Sequence, residues 1–127
     1  MYNLPTNIVF DLDGTLVDDN YKLFPDVKDI IDYLLDNNHT IYIASFNEDA
    51  KHILEIINGI DNDVVKKYVV GYDDGKRMTK DKFLDELNLP KDDTIFFDDE
   101  IKNINDCKNK GWMTMKVYEL TWNDLKL

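Results

Sequence analysis

Two acids stand two positions apart just past an apolar run in Ile8-Val9-Phe10-Asp11-Leu12-Asp13-Gly14-Thr15. Carboxylates are seldom buried without partners, and two close together repel unless something cationic joins them. A second acidic pair, Asp98-Asp99, follows another apolar run, Thr94 to Phe97. Asp11 and Asp98 offer hard oxygen ligands that suit magnesium, an ion that keeps several waters and takes one or two carboxylates plus a phosphate oxygen. With such an ion present the clustered acids can all stay ionised. Asp11, held in line with a phosphoryl group, can attack phosphorus and form an aspartyl-phosphate. Asp13 can protonate the leaving oxygen and later activate water. Ser45 and its backbone N–H can hold phosphoryl oxygens, while a lysine neutralises the charge that develops on them.

Such residues work only if a scaffold gathers them. Short apolar runs predict strands over 7–10, 40–44, 67–72, 94–97 and 112–117. Between them Val27, Ile30, Ile31 and Leu34 repeat on one helix face opened by Pro25. Ala50, Ile53, Leu54 and Ile57 do the same and end at the C-cap pair Asn58-Gly59. Phe83, Leu84 and Leu87 predict a third helix after Thr79, and Ile101, Ile104 and Cys107 a fourth closed by Gly111. A short terminal helix or turn is expected over 119–127, with Thr121 as its cap. Strands alternating with helices, and apolar on both sides, predict an α/β sandwich around a parallel sheet, in one domain over residues 1–127. Ligands of such sheets bind beyond the carboxyl ends of the strands. The residues at those ends are Asp11 and Asp13, then Ser45 and Asn47, then Asp73-Asp74-Gly75-Lys76-Arg77, then Asp98 and Asp99.

Composition fits an enzyme of this size. At 127 residues the chain buries roughly two-thirds of its unfolded surface, and 43% hydrophobic residues can fill one core. The formal charge of −11 argues against nucleic acid or an anionic membrane as partner. An anionic substrate must instead be drawn in by a metal or a few placed cations. The lone Cys107 forms no intrachain disulfide, and the N-terminus lacks the pattern of a signal peptide, so a cytosolic location is expected. Asn38-His39-Thr40 matches the glycosylation sequon by chance on that reading. His39 and His52 are expected to be structural or solvated, Cys107 to lie in the core, and Asp73-Asp74-Gly75 to make a turn. Asn47 is as well placed to cap the following helix as to touch substrate.

Asp11-Leu12-Asp13-Gly14-Thr15-Leu16, Ser45 after an apolar strand, a lysine ahead of a helix and the Asp98-Asp99 pair together resemble the four motifs of the haloacid dehalogenase superfamily, in the family's order over residues 8–100. The resemblance implies a Rossmann-like three-layer sandwich with a central five-stranded parallel sheet, strand one in the middle and strands four and five to one side. It implies Asp11 as nucleophile and Asp13 as general acid and base. Magnesium would be bound by Asp11, the backbone carbonyl of Asp13 and Asp98, with Asp99 a ligand directly or through water, and Ser45 would contact the phosphoryl group. For the lysine, Lys76 is favoured from the loop, with Arg77 and Lys80 as alternatives. The 32 positions from Asp13 to Ser45 and the 31 from Ser45 to Lys76 are filled by the predicted elements and leave no room for a cap domain. Ile95 to Glu100 followed by Lys102-Asn103-Ile104 resembles the eukaryotic-type magnesium-dependent phosphatases. That likeness implies a phosphomonoester hydrolase acting on a phosphoprotein, such as a phosphotyrosine protein, or on a sugar or other small phosphate. A phosphotransferase on the same fold and a catalytically idle binding module are the competing readings.

Overall fold

The computed structural model describes residues 3–73 and 76–126, with the backbone alone at Tyr72, Asp73, Lys76 and Arg77. Five strands form a parallel sheet: β1 (Asn7–Phe10), β2 (Thr40–Ser45), β3 (Val65–Val70), β6 (Thr94–Asp98) and β7 (Met113–Lys116). Their order is β3-β2-β1-β6-β7, so β1 is central. The strands read as continuous apolar runs because both faces are covered, and β1, β2 and β6 are buried almost throughout. Ile8, Phe10, Ile43 and Phe97 pack on one face against α1 (Val27–Asp36) and against Ile53 and Leu54. Val9, Tyr42, Ala44 and Phe96 pack on the other against α3 (Lys80–Leu87) and α4 (Ile101–Lys108). The three-layer α/β sandwich and the placing of its strands agree with the sequence pattern.

The third strand and the second helix depart locally from the expectation, for physical reasons, while the terminal segment follows it. The third strand was expected over 67–72, but Gly71, at φ +101°, breaks it after Val70. Tyr72–Asp73 (β4) then pairs antiparallel with Lys76–Arg77 (β5) in a separate ribbon. Of the turn expected over Asp73-Asp74-Gly75, Asp73 ends β4 and Asp74 and Gly75 lie outside the described residues. The second helix, α2 (Ala50–His52), runs into a π-helical turn over Ile53–Ile57. A π turn advances less per residue than an α turn, so Ala50, Ile53 and Leu54 are buried as expected while Ile57 turns outward. At the chain's end Trp122–Leu125 forms a 3₁₀ turn with a reciprocal cap between Thr121 and Asp124.

Among the described residues no cap domain interrupts this frame. The connection from β1 to β2 carries a loop and α1, and that from β2 to β3 carries α2 and its π turn.

Candidate active site

Register brings the first acids together. Phe10 pairs with Phe97 and with Ile43, so the next residues, Asp11, Asp98 and Ala44, stand side by side at the carboxyl edge. Alternation along the strands turns Asp11 and Asp98 to the face covered by α3 and α4. The Asp11 N–H donates to the Phe97 carbonyl at 2.9 Å, which extends the ladder one step and fixes the carboxylate.

Lys80 meets them there. It is the first residue of α3 and fully buried, and its Nζ donates to Asp11 Oδ1 at 2.8 Å, Asp98 Oδ2 at 2.9 Å and the Ala44 carbonyl at 2.8 Å. All three ammonium protons are satisfied. Burial opposes its charge, yet Asp11 and Asp98 outweigh burial and hold the ammonium pKa above its ordinary value. The Phe46 ring lies 4.9 Å from Nζ. Among the described residues the cation at this edge is Lys80, whereas the sequence reading favoured Lys76. Helical side chains tilt back toward the N-terminus, so a first-turn lysine reaches the strand ends directly. Lys76 sits in β5, outside the main sheet, and its side chain and that of Arg77 lie outside the described residues.

Asp98 is the most enclosed acid, wholly buried, with Oδ2 also accepting from Asn103 Nδ2 at 3.2 Å and Oδ1 from the Glu100 N–H at 2.9 Å. Asn103 was not singled out from the sequence as a site residue. The signal for it was an amide five residues after Asp98, in the first turn of the helix that follows.

The segment after β1 wraps tightly. The Leu16 N–H bonds the Leu12 carbonyl at 2.9 Å, and the Gly14 N–H bonds the Val17 carbonyl at 2.9 Å. Gly14 has φ +81°, and a Cβ there would collide with the Asp99 carboxylate. Asp99 thus lies flat against a backbone that only glycine leaves open. Thr15, fully buried, places its hydroxyl 3.5 Å from Asp11 Oδ2. Asp13 is exposed at the mouth and accepts from Asn47 Nδ2 at 3.3 Å. Asn47 has three further bonds: its N–H donates to Ser45 Oγ at 3.0 Å, its Oδ1 accepts from the Asp49 N–H at 2.9 Å and its carbonyl accepts from the Ala50 N–H at 3.1 Å. It shapes the turn into α2 and reaches Asp13 at the same time. Ser45 is buried at the end of β2.

Ligand oxygens of Asp11, Asp98 and Asp99 lie within 4.8 Å of one another. Among the described residues Lys80 is the one cation paired with this cluster, through Asp11 and Asp98, so the three carboxylates outnumber it. Burial, reinforced by Asp98, outweighs Lys80 and pushes Asp11 up to about 8. Burial also raises Asp99. A set of hard oxygen donors that must take up protons when it lacks a cation suits a divalent ion such as magnesium.

The fold and this carboxylate-lined edge place the chain among α/β enzymes that work beyond the strand ends of a parallel sheet. Within that class it belongs to the haloacid dehalogenase-like hydrolases, whose family pattern matches residues 8–119. No curated protein matches the chain. Its fold is similar to that of a predicted phosphatase from Clostridium acetobutylicum, with TM-score 0.76 at 16% identity over 97% of this chain and 90% of that one. It is similar to the N-terminal part of a Bacteroides fragilis protein containing a phosphatase domain complexed with Mg, with TM-score 0.66 at 19% identity over 91% of this chain and 37% of that one. CbbY from Rhodobacter sphaeroides in complex with phosphate aligns with TM-score 0.68 at 11% identity over 94% of this chain and 89% of that one.

Proposed function

We propose that the protein is a magnesium-dependent phosphomonoesterase that works through an aspartyl-phosphate on Asp11. The observation that carries this reading is the cluster of Asp11, Asp98 and Asp99, in which Lys80 pairs with Asp11 and Asp98, three carboxylates against one ammonium among the described residues. Magnesium, held by Asp11, Asp98, Asp99 and the Asp13 carbonyl, would supply the missing positive charge beside the phosphoryl oxygens. That a Mg-complexed phosphatase domain and a phosphate-bound protein share the fold supports the choice of ion and substrate.

Each residue then has a role. Lys80 holds Asp11 Oδ1, so Oδ2, which accepts a longer bond of 3.5 Å from the Thr15 hydroxyl, is the oxygen that attacks phosphorus. The P–O bond to the alcohol breaks as the P–O bond to Asp11 forms, and Asp13 gives its proton to the leaving oxygen. Asp13, now a carboxylate, takes a proton from water, which attacks phosphorus and releases inorganic phosphate and free Asp11. Asn47 steadies Asp13 through both steps. Ser45 Oγ accepts from the Asn47 N–H, which leaves its hydroxyl proton for a phosphoryl oxygen. Water can reach the intermediate because, among the described residues, no cap covers the edge. One cysteine, buried, suits a reducing compartment such as the cytosol.

The test is a quench of the enzyme turning over an aryl phosphate with magnesium. A phosphoryl group is expected on the peptide carrying Asp11, with no turnover in Asp11→Asn or with chelator, and a loss of roughly 10²–10⁴-fold in Asp13→Asn. Activity that persists in Asp11→Asn overturns the mechanism.

A further inference from the structure

Two cavities of about 260 Å³ open at the carboxyl edge of the sheet, and the reaction singles out one of them. The cavity along Phe46 and Met78 contains neither Asp11, Asp13 nor Ser45. The other has Asp13 in its wall, with Gly14 and Asp99 beside it. Asp13 hands its proton to the leaving oxygen, so the alcohol attached to that oxygen extends past Asp13 into this space. The proton donor thus sets the place of the cavity in the reaction, and its remaining walls decide what kind of alcohol fits.

Beyond Asp13 and Asp99, those walls carry Asp18, Asp19, Glu100 and Glu119, and among the described residues no basic side chain lines them. Asp18 accepts from the Asn20 and Lys22 N–H groups at 2.8 and 3.0 Å, which ties it into its own turn. Among the described residues the carboxylates of Asp19, Glu100 and Glu119 take no hydrogen bond and pair with no cation. Three unengaged acceptors match the three donors of a primary ammonium. Phe24 and Tyr118, whose ring centroids are 6.2 Å apart, also line the space, and aromatic rings attract a cation further. The Glu119 and Leu120 N–H groups bond the Gly14 and Thr15 carbonyls at 3.0 Å each, so the two sides of the cavity are joined before any ligand arrives. At about 30 Å³ per water the volume equals that of about nine waters, which suits a short amino alcohol.

We infer that this cavity receives the leaving group, and that the substrate is the phosphate monoester of a small alcohol carrying a primary ammonium. This rests on the phosphomonoesterase reading and narrows it. Charge sorts the two ends of such a molecule: the phosphoryl group lies against Asp11 and the ammonium against Asp19, Glu100 and Glu119. A neutral alcohol leaves those carboxylates without a partner, and an acidic one is repelled.

3-Aminopropyl phosphate and butyl phosphate have the same chain length and differ by an ammonium in place of a methyl. With magnesium, kcat/KM for the amino ester is expected to exceed that for the butyl ester about tenfold or more. Asp19→Asn/Glu119→Gln should erase most of that preference by raising KM for the amino ester. Asp63→Asn/Asp92→Asn removes the same charge from exposed positions that precede β3 and β6 at the opposite end of the sheet, and should leave the preference unchanged. Equal kcat/KM for the two esters, or a preference that survives Asp19→Asn/Glu119→Gln, overturns the inference while the phosphatase reading stands. An equal loss on both esters in that variant, restored by more magnesium, also overturns it and puts a metal ion in the cavity. If neither ester is hydrolysed, the aryl phosphate assay decides the phosphatase reading and 3-aminopropylphosphonate decides the cavity. Amide NMR shifts around Asp19 and Glu119 that butylphosphonate does not produce then support the inference, and shifts elsewhere, or none, overturn it.

Discussion

Lys80 makes three hydrogen bonds with no exposure to solvent, and the consequences of losing it follow from that alone. Removing one partner of a buried ion pair leaves the others as uncompensated charges, at about 3–5 kcal/mol. Here two carboxylates would be stranded at once. Lys80→Met is therefore expected to lose about 3–5 kcal/mol in denaturant unfolding without metal, and activity should fall at least about a hundredfold. Lys76→Ala should stay within about 0.5 kcal/mol of the parent and keep most of its rate. A result with the two variants reversed would move the cation back to the loop. The choice between these lysines was open in the sequence because both lie near a helix start, and spacing along the chain does not say which side chain turns inward. What separates them is helix direction: α3 begins at Lys80 and its first turn faces the strand ends. The acids were legible because buried carboxylates after apolar strands have few structural uses. Asn103 was not, since an amide in a first helical turn more often serves the helix itself.

The segment between β1 and α1 acts as one unit at the scale of elements. Gly14 lets it turn, Asp99 packs against that turn from the far side of β6, and the Glu119 and Leu120 N–H groups bond the Gly14 and Thr15 carbonyls at 3.0 Å each. Asn58 pins the other end, accepting from the Leu23 N–H at 3.1 Å and donating to the Tyr21 carbonyl at 2.8 Å. Gly14→Ala would force a side chain into the left-handed region and push Asp99 off its seat. The expected result is a loss of about 1 kcal/mol or more in stability, together with weaker magnesium binding by calorimetry. Magnesium affinity equal to the parent's would show that Asp99 is no ligand. Periodicity revealed the long helices and the five main strands, because each buries a full stripe or face. It could not reveal the π turn, whose apolar spacing starts as an α-helix does, or the β4–β5 ribbon, whose two-residue strands carry no pattern.

Across the whole molecule, the charge deficit of the site should set how stability varies with pH. Asp11 rises from its ordinary 3.8 to about 8 when folded, because burial and Asp98 outweigh Lys80, and Asp99 moves the same way. The folded protein therefore holds protons that the unfolded chain has released, and folding stability falls as pH climbs from about 4 to about 8. The other shifted groups act outside that window. The Thr6 N–H lowers Asp93, whose contribution is lost only as pH drops below the ordinary 3.8. Burial raises Tyr68 and Cys107, which matter only as pH approaches and passes their ordinary 10.0 and 9.0. Lys80, raised above 10.5, keeps its full contribution throughout. Melting temperatures in chelator should thus decline between pH 5 and pH 8, and saturating magnesium should flatten the decline, since an ion that binds only the folded state competes with those protons. Proton release on adding magnesium at pH 6.5, measured by calorimetry in buffers of different ionisation enthalpy, checks the same linkage independently. A melting temperature that rises with pH in chelator would mean that Asp11 and Asp99 are ionised without metal, and that Lys80 alone meets the charge of the site.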